Sequence, residues 1–326
     1  MKIFDRSIIV FLLSSTFCLI TLAISFPSKL ISKSPQALLT KITLSDVRKV
    51  KLFEKKNSPG SPLSANKLSI AFNSLKYDLA GITKEGAFVP RIFLEKIPND
   101  MSNIQRPKQK KEIFFKAILP VILRANNKII KDRERLLRIK IKIKRLLDLN
   151  VLDKIWLAAM SDKYKTRRDD VHQLLLKVDV IPPSIALAQA AEESGWGTSR
   201  FAIEGNALFG QWTYGKSHSL IPLGRDSGKK HRIKAFPTIF DAVKAYMHNL
   251  NTHNAYREFR KKRENLRKKK LPLLSRNLLG SLKNYSQRRN EYIKTVRSII
   301  KSNQLDMLDN AKLGGDYVVI VQPPAI

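Results

Sequence analysis

Two adjacent glutamates, Glu192 and Glu193, end an otherwise apolar predicted helix within residues 182–212, PPSIALAQAAEESGWGTSRFAIEGNALFGQW. Pro182 and Pro183 suit the first turn of a helix, and Gly195 predicts where that helix ends. Because neighbouring helical residues point about 100° apart, only one of Glu192 and Glu193 can follow the buried side of the helix. The sequence therefore predicts one partly buried carboxyl group on the last helical turn.

A carboxyl group in that position is expected to keep its proton to a higher pH than usual. The helix dipole disfavours negative charge on the last turn, and an apolar wall such as Trp196 would disfavour it further. A carboxylic acid that stays protonated near neutral pH can donate a proton to a glycosidic oxygen. The residue types alone leave two interpretations open, a catalytic acid and a solvated helix end.

The stretch AQAAEESGWGTSRFAIEGNALFGQW resembles the Bax-type bacterial glucosaminidases, within the larger family of peptidoglycan N-acetylglucosaminidases that includes flagellar hydrolases and autolysins. The resemblance runs from about Lys110 to Leu313 and takes in ILPVILRANNKIIKDRERLL, HRIKAF, AYMHNLNTHNAYREFR and YSQRRNEYI. It implies hydrolysis of the β-1,4 bond on the reducing side of N-acetylglucosamine, with Glu193, the glutamate of ESGWG, as general acid. The alternatives are a lytic transglycosylase and a non-catalytic basic wall-binding protein.

The sequence identifies the second catalytic group less clearly than it identifies the general acid. Relatives often carry a glutamate in the β lobe, where this chain has GKSHSLIPLGRDSGKK with Asp226 as its only acid. Asp226 or the N-acetyl group of the sugar would then complete the mechanism, and inverting hydrolysis needs carboxyl groups roughly 6.5 to 9.5 Å apart. The family also places a functional tyrosine near the end of the domain. Tyr285 and Tyr292 both match that region, and they share one face if the helix there is continuous.

Several further side chains could bind a sugar through ring stacking or hydrogen bonds. Each residue type also has a structural role, because aromatic rings fill cores and Asn side chains cap turns. The substrate-binding candidates are Trp196, Asn206, Phe209, Trp212, Asn249 and His253. No pair of His or Cys residues stands at metal-ligand spacing, so we expect no metal and no other cofactor.

The elements that position these residues follow from the spacing of apolar side chains. Helices are predicted upstream at Ile113–Leu149, with a break at Pro120, and at Leu152–Lys163 and Asp169–Lys177. Residues 209–236 are predicted to form a small β-hairpin lobe, and Thr238 with Asp241 marks the start of a further helix. The expected class is α+β, mainly α, and the resemblance implies a lysozyme-like helical domain with a small β-hairpin lobe.

The chain is predicted to have five parts. These are a signal peptide or membrane anchor (1–26), a spacer that is partly ordered at most (27–109), a helical N-terminal part of the Bax-like region (110–165), the glucosaminidase domain (166–313) and a tail (314–326). The apolar run Ile8–Phe26 follows Lys2 and Arg6, and its length suits either a signal peptide or an anchor. We therefore expect export to the periplasm or cell envelope, with anchoring in the inner membrane if the segment is not cleaved.

The 326 residues carry a formal net charge of +34, which favours polyanionic partners unless it reflects a lysine-rich genome. Residues 256–276 are the most basic part, with ten Lys or Arg against two Glu. Nucleic-acid binding would usually bring aromatic stacking residues or a reading helix, and this run has few aromatics and no such motif. The expected partner is the glycan strand of peptidoglycan, with the membrane as a second partner through an uncleaved N-terminus, and no nucleic acid.

Overall fold

The structure is a computed structural model that describes residues 63–84, 88–215, 217–222, 232–314 and 319–321. The predicted signal peptide or anchor at 1–26 and the candidate Asp226 lie outside the described residues. Within the described ranges, no helix combines the length and the apolar character that crossing a bilayer requires.

Most of the described chain is helical. The helices are α1 (Ala65–Ser74), α2 (Leu79–Lys84), α3 (Pro107–Lys144), α4 (Val151–Tyr164), α5 (Val171–Lys177), α6 (Pro183–Ser194), α7 (Arg200–Gly205), α8 (Ile239–Thr252), α9 (Arg257–Lys268), α10 (Ser275–Leu278) and α11 (Asn290–Ser302). Turns of 3-10 helix lie at Met101–Asn103, Asn254–Tyr256, Leu279–Tyr285 and Leu305–Asn310. The predicted helices are confirmed, with ends that differ by a few residues.

The small β lobe is a three-stranded antiparallel sheet. Its strands are β2 (Trp212–Thr213), β3 (Ser219–Leu220) and β4 (Arg232–Lys234), and β4 lies in the middle. A separate parallel pair joins β1 (Ile92–Leu94) to β5 (Val319–Val321). The mainly helical α+β class with a small β lobe is confirmed, and the lobe has one strand more than a simple hairpin.

The long helix α3 forms the centre of the helical core. Pro120 lies inside α3, so the predicted break at this residue is wrong. A proline inside a helix costs about 3 kcal/mol. Its neighbours Ile118, Leu119, Val121 and Ile122 are fully buried, and each such side chain contributes about 1.5–3 kcal/mol. Burial on both sides of Pro120 therefore outweighs the lost hydrogen bond.

The same core includes residues from the stretch predicted as a spacer. Leu68 and Phe72 of α1 and the three residues of β1 are buried in it. Farther along, Ile97 packs against the turn that follows α6, where a side chain on Gly197 would approach its Cδ1 to 3.0 Å. These upstream residues therefore support the end of the helix that carries the two glutamates.

The helix α9 carries the basic run, and two of its arginines point inward. Arg260 and Arg263 are buried. Arg263 donates hydrogen bonds to the carbonyl oxygens of Leu176 and Asp179, and Arg267 Nη2 pairs with Asp179 Oδ1 at 2.8 Å. This part of the run therefore fixes the loop between α5 and α6, rather than lying wholly in solvent.

Candidate active site

The helix α6 carries Glu192 and Glu193 on its last turn, and most of its other residues are buried. Its first residue follows Pro182, which has no capping side chain, and Asp309 supplies the cap from a distant turn. Asp309 Oδ1 accepts hydrogen bonds from the Ser184 N–H at 3.0 Å and from Ser184 Oγ at 2.6 Å. A carboxylate at a helix N-terminus is also favoured by the helix dipole. The start of α6 is therefore fixed from outside the helix.

The two ends of α6 are held by further local contacts. Asn126 on α3 donates to the Ile181 carbonyl oxygen at 2.8 Å and accepts from the Ile181 N–H at 3.1 Å, directly before the helix. At the other end, Gly195 adopts φ +57°, a left-handed conformation that favours glycine and stops the helix. The predicted proline start and glycine end of this helix are confirmed.

The Glu193 carboxyl group lies against the backbone of the loop that leads to the β lobe. A side chain on Gly210 would place its Cβ 3.0 Å from Glu193 Oε2, and Gly210 itself has φ +58°. Both the contact and the left-handed backbone favour glycine at this position. The loop thus limits where Oε2 can lie.

The pKa of Glu193 is raised above its ordinary value, as the sequence predicted. Burial is the largest cause, and the negative charge of Glu192 acts in the same direction. A hydrogen bond with Tyr292 and the positive charge of Arg288 lower the pKa by less than these effects raise it. Glu193 therefore holds its proton to a higher pH than a solvated glutamate.

Glu192 has different surroundings. Its Oε1 pairs with Arg288 Nη2 at 2.5 Å, in a pair in which the arginine is about half exposed. This ion pair holds the Glu192 carboxyl group against the Arg288 guanidinium. Of the two neighbouring glutamates, Glu193 therefore has the properties of a proton donor.

A chain of hydrogen bonds through the buried core ends at Glu193. The Tyr246 hydroxyl donates to Gln189 Oε1 at 2.7 Å, and Gln189 Nε2 donates to the Tyr292 hydroxyl at 2.9 Å. All three side chains are fully buried. Because the Tyr292 oxygen already accepts from Gln189, its own proton is free to bond Glu193. Burial and the Glu193 charge raise the pKa of Tyr292, so the hydroxyl keeps that proton at neutral pH.

Sequence reasoning missed Gln189 and Tyr246. The available signal was a polar residue inside the apolar run AQAA, four positions before Glu193 and hence on the same helical face. The residues that Gln189 meets lie 57 and 103 positions further along the chain.

Tyr285 and Tyr292 lie on separate elements, the 3-10 turn before α11 and α11 itself, so the continuous helix considered from the sequence is absent here. Their rings nevertheless stack, with centroids 5.5 Å apart and planes at 12°. The Tyr285 hydroxyl donates to the Phe209 carbonyl oxygen at 3.1 Å, and the Phe209 ring stacks on Tyr246 at 3.9 Å. Tyr285 therefore holds the loop beside Gly210, and Tyr292 contacts the carboxyl group.

Three predicted sugar-binding residues have polar or exposed surroundings. Trp212 is 58% exposed on β2. Asn249 on α8 hydrogen-bonds Tyr256, whose ring centroid lies 6.1 Å from that of Tyr285. His253 is exposed at the end of α8, where its Nδ1 accepts from the backbone at 3.2 Å. Their roles in sugar binding stay predictions.

Two other candidates make contacts of a structural kind. The Trp196 ring packs edge-on against Phe114 and Phe115, with centroids 6.2 and 5.4 Å away, which joins the end of α6 to α3. Asn206 is buried and donates to the carbonyl oxygens of Phe236 and Pro237 at 3.0 and 3.1 Å, which closes the base of the β lobe. Their predicted contacts with sugar are additional to these and stay predictions.

Comparisons with known proteins found a family model, a curated relative and a solved structure that are similar to this chain. The glucosaminidase family model, described as mannosyl-glycoprotein endo-beta-N-acetylglucosaminidase, matches residues 169–305. The chain is 31% identical over 201 residues to protein bax of Escherichia coli (strain K12), a match that covers 60% of this chain and 70% of that protein. The catalytic domain of the autolysin Auto from Listeria monocytogenes matches at 18% identity and a TM-score of 0.32, over 52% of this chain and 94% of that one. The hydrogen-bond chain from Tyr246 to Glu193 lies inside the family range.

Proposed function

This chain belongs to the Bax-type glucosaminidase family, and from that premise we propose that it is a peptidoglycan hydrolase with Glu193 as its general acid. The bond cleaved is the β-1,4 bond on the reducing side of N-acetylglucosamine. The observation that carries the proposal is the contrast between two adjacent glutamates. Glu193 has a raised pKa and a tyrosine partner, whereas Glu192 is paired with an arginine.

In the proposed reaction, protonated Glu193 donates its proton to the glycosidic oxygen as the bond from that oxygen to the anomeric carbon breaks. Glu193 becomes a carboxylate in this step. The Tyr292 hydroxyl donates to that carboxylate, and the positive charge of Arg288 also favours it. Because a hydrogen bond to a charged oxygen is stronger than one to a neutral oxygen, these groups stabilise the transition state more than the bound substrate.

The second group of the reaction is proposed to be Asp226 or the substrate's own N-acetyl group. Asp226→Asn separates the two routes. A large loss of rate at unchanged thermal stability supports Asp226 as the base, and retained activity supports assistance by the sugar.

The proposed setting is the periplasm or cell envelope, reached through the apolar segment at residues 8–26. The partners are peptidoglycan glycan strands, and the membrane as well if this segment is not cleaved. A chain that stays in the cytoplasm when its localisation is followed by fractionation would contradict the proposal.

The test of the function is digestion of purified peptidoglycan with the full chain, followed by mass spectrometry of the products. Hydrolysis as proposed leaves N-acetylglucosamine at the new reducing end. A lytic transglycosylase would instead leave anhydro-muramic ends, and a non-catalytic wall-binding protein would leave the polymer intact. Either of these results would replace the proposed activity.

A further inference from the structure

A groove of about 1120 Å³ lies between α3, α4, α8 and the small β lobe. Typical ligand sites have volumes of roughly 300–1,000 Å³, so this groove has room for an extended group of several residues. Its lining includes apolar side chains, among them Ile129, Phe236 and Met247. The groove therefore suits a ligand that has apolar parts of its own.

The charged groups on the groove are mostly lysines that come from four different elements. They are Lys128, Lys131, Lys163, Lys234 and Lys244. The lining contains two acids, and each lies near one of these lysines: Asp241 pairs with Lys244 at 2.8 Å, and Asp132 lies 4.0 Å from Lys163. Five positive and two negative charges leave an excess of three positive charges, which favours an anionic ligand.

The groove adjoins the candidate active site. Thr213 lines the groove and follows Gly210, which contacts Glu193, by three residues, so their Cα atoms are at most about 11 Å apart. On α8, Ala245 lines the groove and lies one helical turn before Asn249, which bonds Tyr256 beside the tyrosine pair. A group attached to a glycan held at Glu193 can therefore reach the groove.

From these observations we propose that the groove binds the acidic peptide stems of peptidoglycan, with their carboxylates on the lysines and their small apolar side chains on the groove floor. The proposal rests on the proposed function, since it assigns a second part of the same substrate to a second part of the same cleft. A neutral sugar chain would gain little from three excess ammonium groups. A long phosphate polymer would gain little from the apolar side chains of the groove floor.

The test uses the full chain with Glu193→Gln, so that binding is measured without cleavage. The ligands are soluble glycan fragments that carry peptide stems, and the same fragments after an amidase has removed the stems. The groove variant is Lys128→Gln, Lys131→Gln and Lys234→Gln together. Its matched control is Lys262→Gln, Lys269→Gln and Lys270→Gln, which removes the same charge from exposed positions on and after α9.

The groove variant should bind stem-bearing fragments about tenfold more weakly, as expected for three exposed charge contacts, and should bind stem-free fragments as before. The control variant should change neither affinity by more than about twofold. Equal losses for both fragments, or equal losses in both variants, would overturn the proposal.

Two further measurements complete the test. Thermal unfolding of each variant shows whether the lysine changes disturb the fold. If the triple variant is unstable, the single charge reversal Lys131→Glu should weaken the binding of stem-bearing fragments and leave the binding of stem-free fragments unchanged. Unchanged binding by a folded Lys131→Glu variant would count against the groove. Absence of cleavage by the wild-type chain would refute the proposed hydrolase activity, but it would leave the binding result as it stands.

Discussion

Replacing Gly210 by alanine tests whether the loop before the β lobe sets the position of the Glu193 carboxyl group. The new Cβ would lie 3.0 Å from Glu193 Oε2, whereas ordinary contact begins at 3.4 Å, so Oε2 must move by about 0.4 Å. A misplacement of 1 Å can cost about 100-fold in rate, so a shift of this size corresponds to roughly a sixfold loss of kcat. The backbone conformation, φ +58°, adds about 1–2 kcal/mol of strain for an L-residue.

Gly195→Ala is the matched control. Gly195 has nearly the same backbone conformation, φ +57°, and a Cβ there meets Thr198 Oγ1 at an ordinary 3.4 Å. Both variants should therefore lose about 1–2 kcal/mol of unfolding free energy in urea titrations. The assay measures release of reducing ends from peptidoglycan, and each rate is divided by the folded fraction of the variant. After that correction, only Gly210→Ala should show a lower kcat than the wild type. Wild-type kcat in Gly210→Ala, or the same loss in both variants, would refute the argument that the loop positions Oε2.

Three further predictions concern the groups around Glu193. Glu192→Gln removes a charge that raises the pKa of Glu193 and frees Arg288, so the alkaline limb of the kcat/KM profile should move to lower pH, whereas Arg288→Gln should move it to higher pH. Movement of both profiles in one direction would contradict this account. Gln189→Leu leaves the buried Tyr246 hydroxyl without its acceptor and removes one of the two hydrogen bonds of Tyr292, so the unfolding free energy should fall by about 2–4 kcal/mol, and a loss below about 1 kcal/mol would show that the chain contributes little. Tyr292→Phe removes the hydrogen bond that lowers the pKa of Glu193, so its alkaline limb should move to higher pH, and an unchanged profile would exclude this contact.

The helix that carries the two glutamates could be predicted from the sequence because its ends depend on neighbouring residues, whereas the choice of Glu193 as the acid came from the family resemblance. Prolines favour a first turn and a glycine favours the left-handed end, and helical geometry shows that only one of Glu192 and Glu193 can follow the buried side. The direction of the Glu193 pKa shift also followed from its place at a helix end. Burial is the main cause of the shift in the structure, and the sequence predicted burial as one cause. It named Trp196 as the apolar wall, however, and the Trp196 ring packs against Phe115 of α3.

The surroundings of Glu193 could not be predicted in this way because they depend on distant parts of the chain. Helical spacing places Gln189 on the face of Glu193, but it does not show that Tyr246 and Tyr292 meet it. The same holds for Pro120, whose cost is offset by tertiary burial. It also holds for Arg263, whose charge suggests a solvated position until carbonyl oxygens at the end of α5 are brought to it.

The most direct test of the central claim is the rate of peptidoglycan cleavage by Glu193→Gln beside Glu192→Gln. Glutamine keeps the shape of the side chain but cannot supply an acidic proton, and general acid catalysis contributes about 10²–10⁴-fold. The account predicts a loss of at least about 10²-fold for Glu193→Gln, with thermal stability and glycan binding retained, and a change of only a few fold for Glu192→Gln. Near-normal cleavage by Glu193→Gln, or equal losses in the two variants, would contradict the assignment of Glu193 as the proton donor.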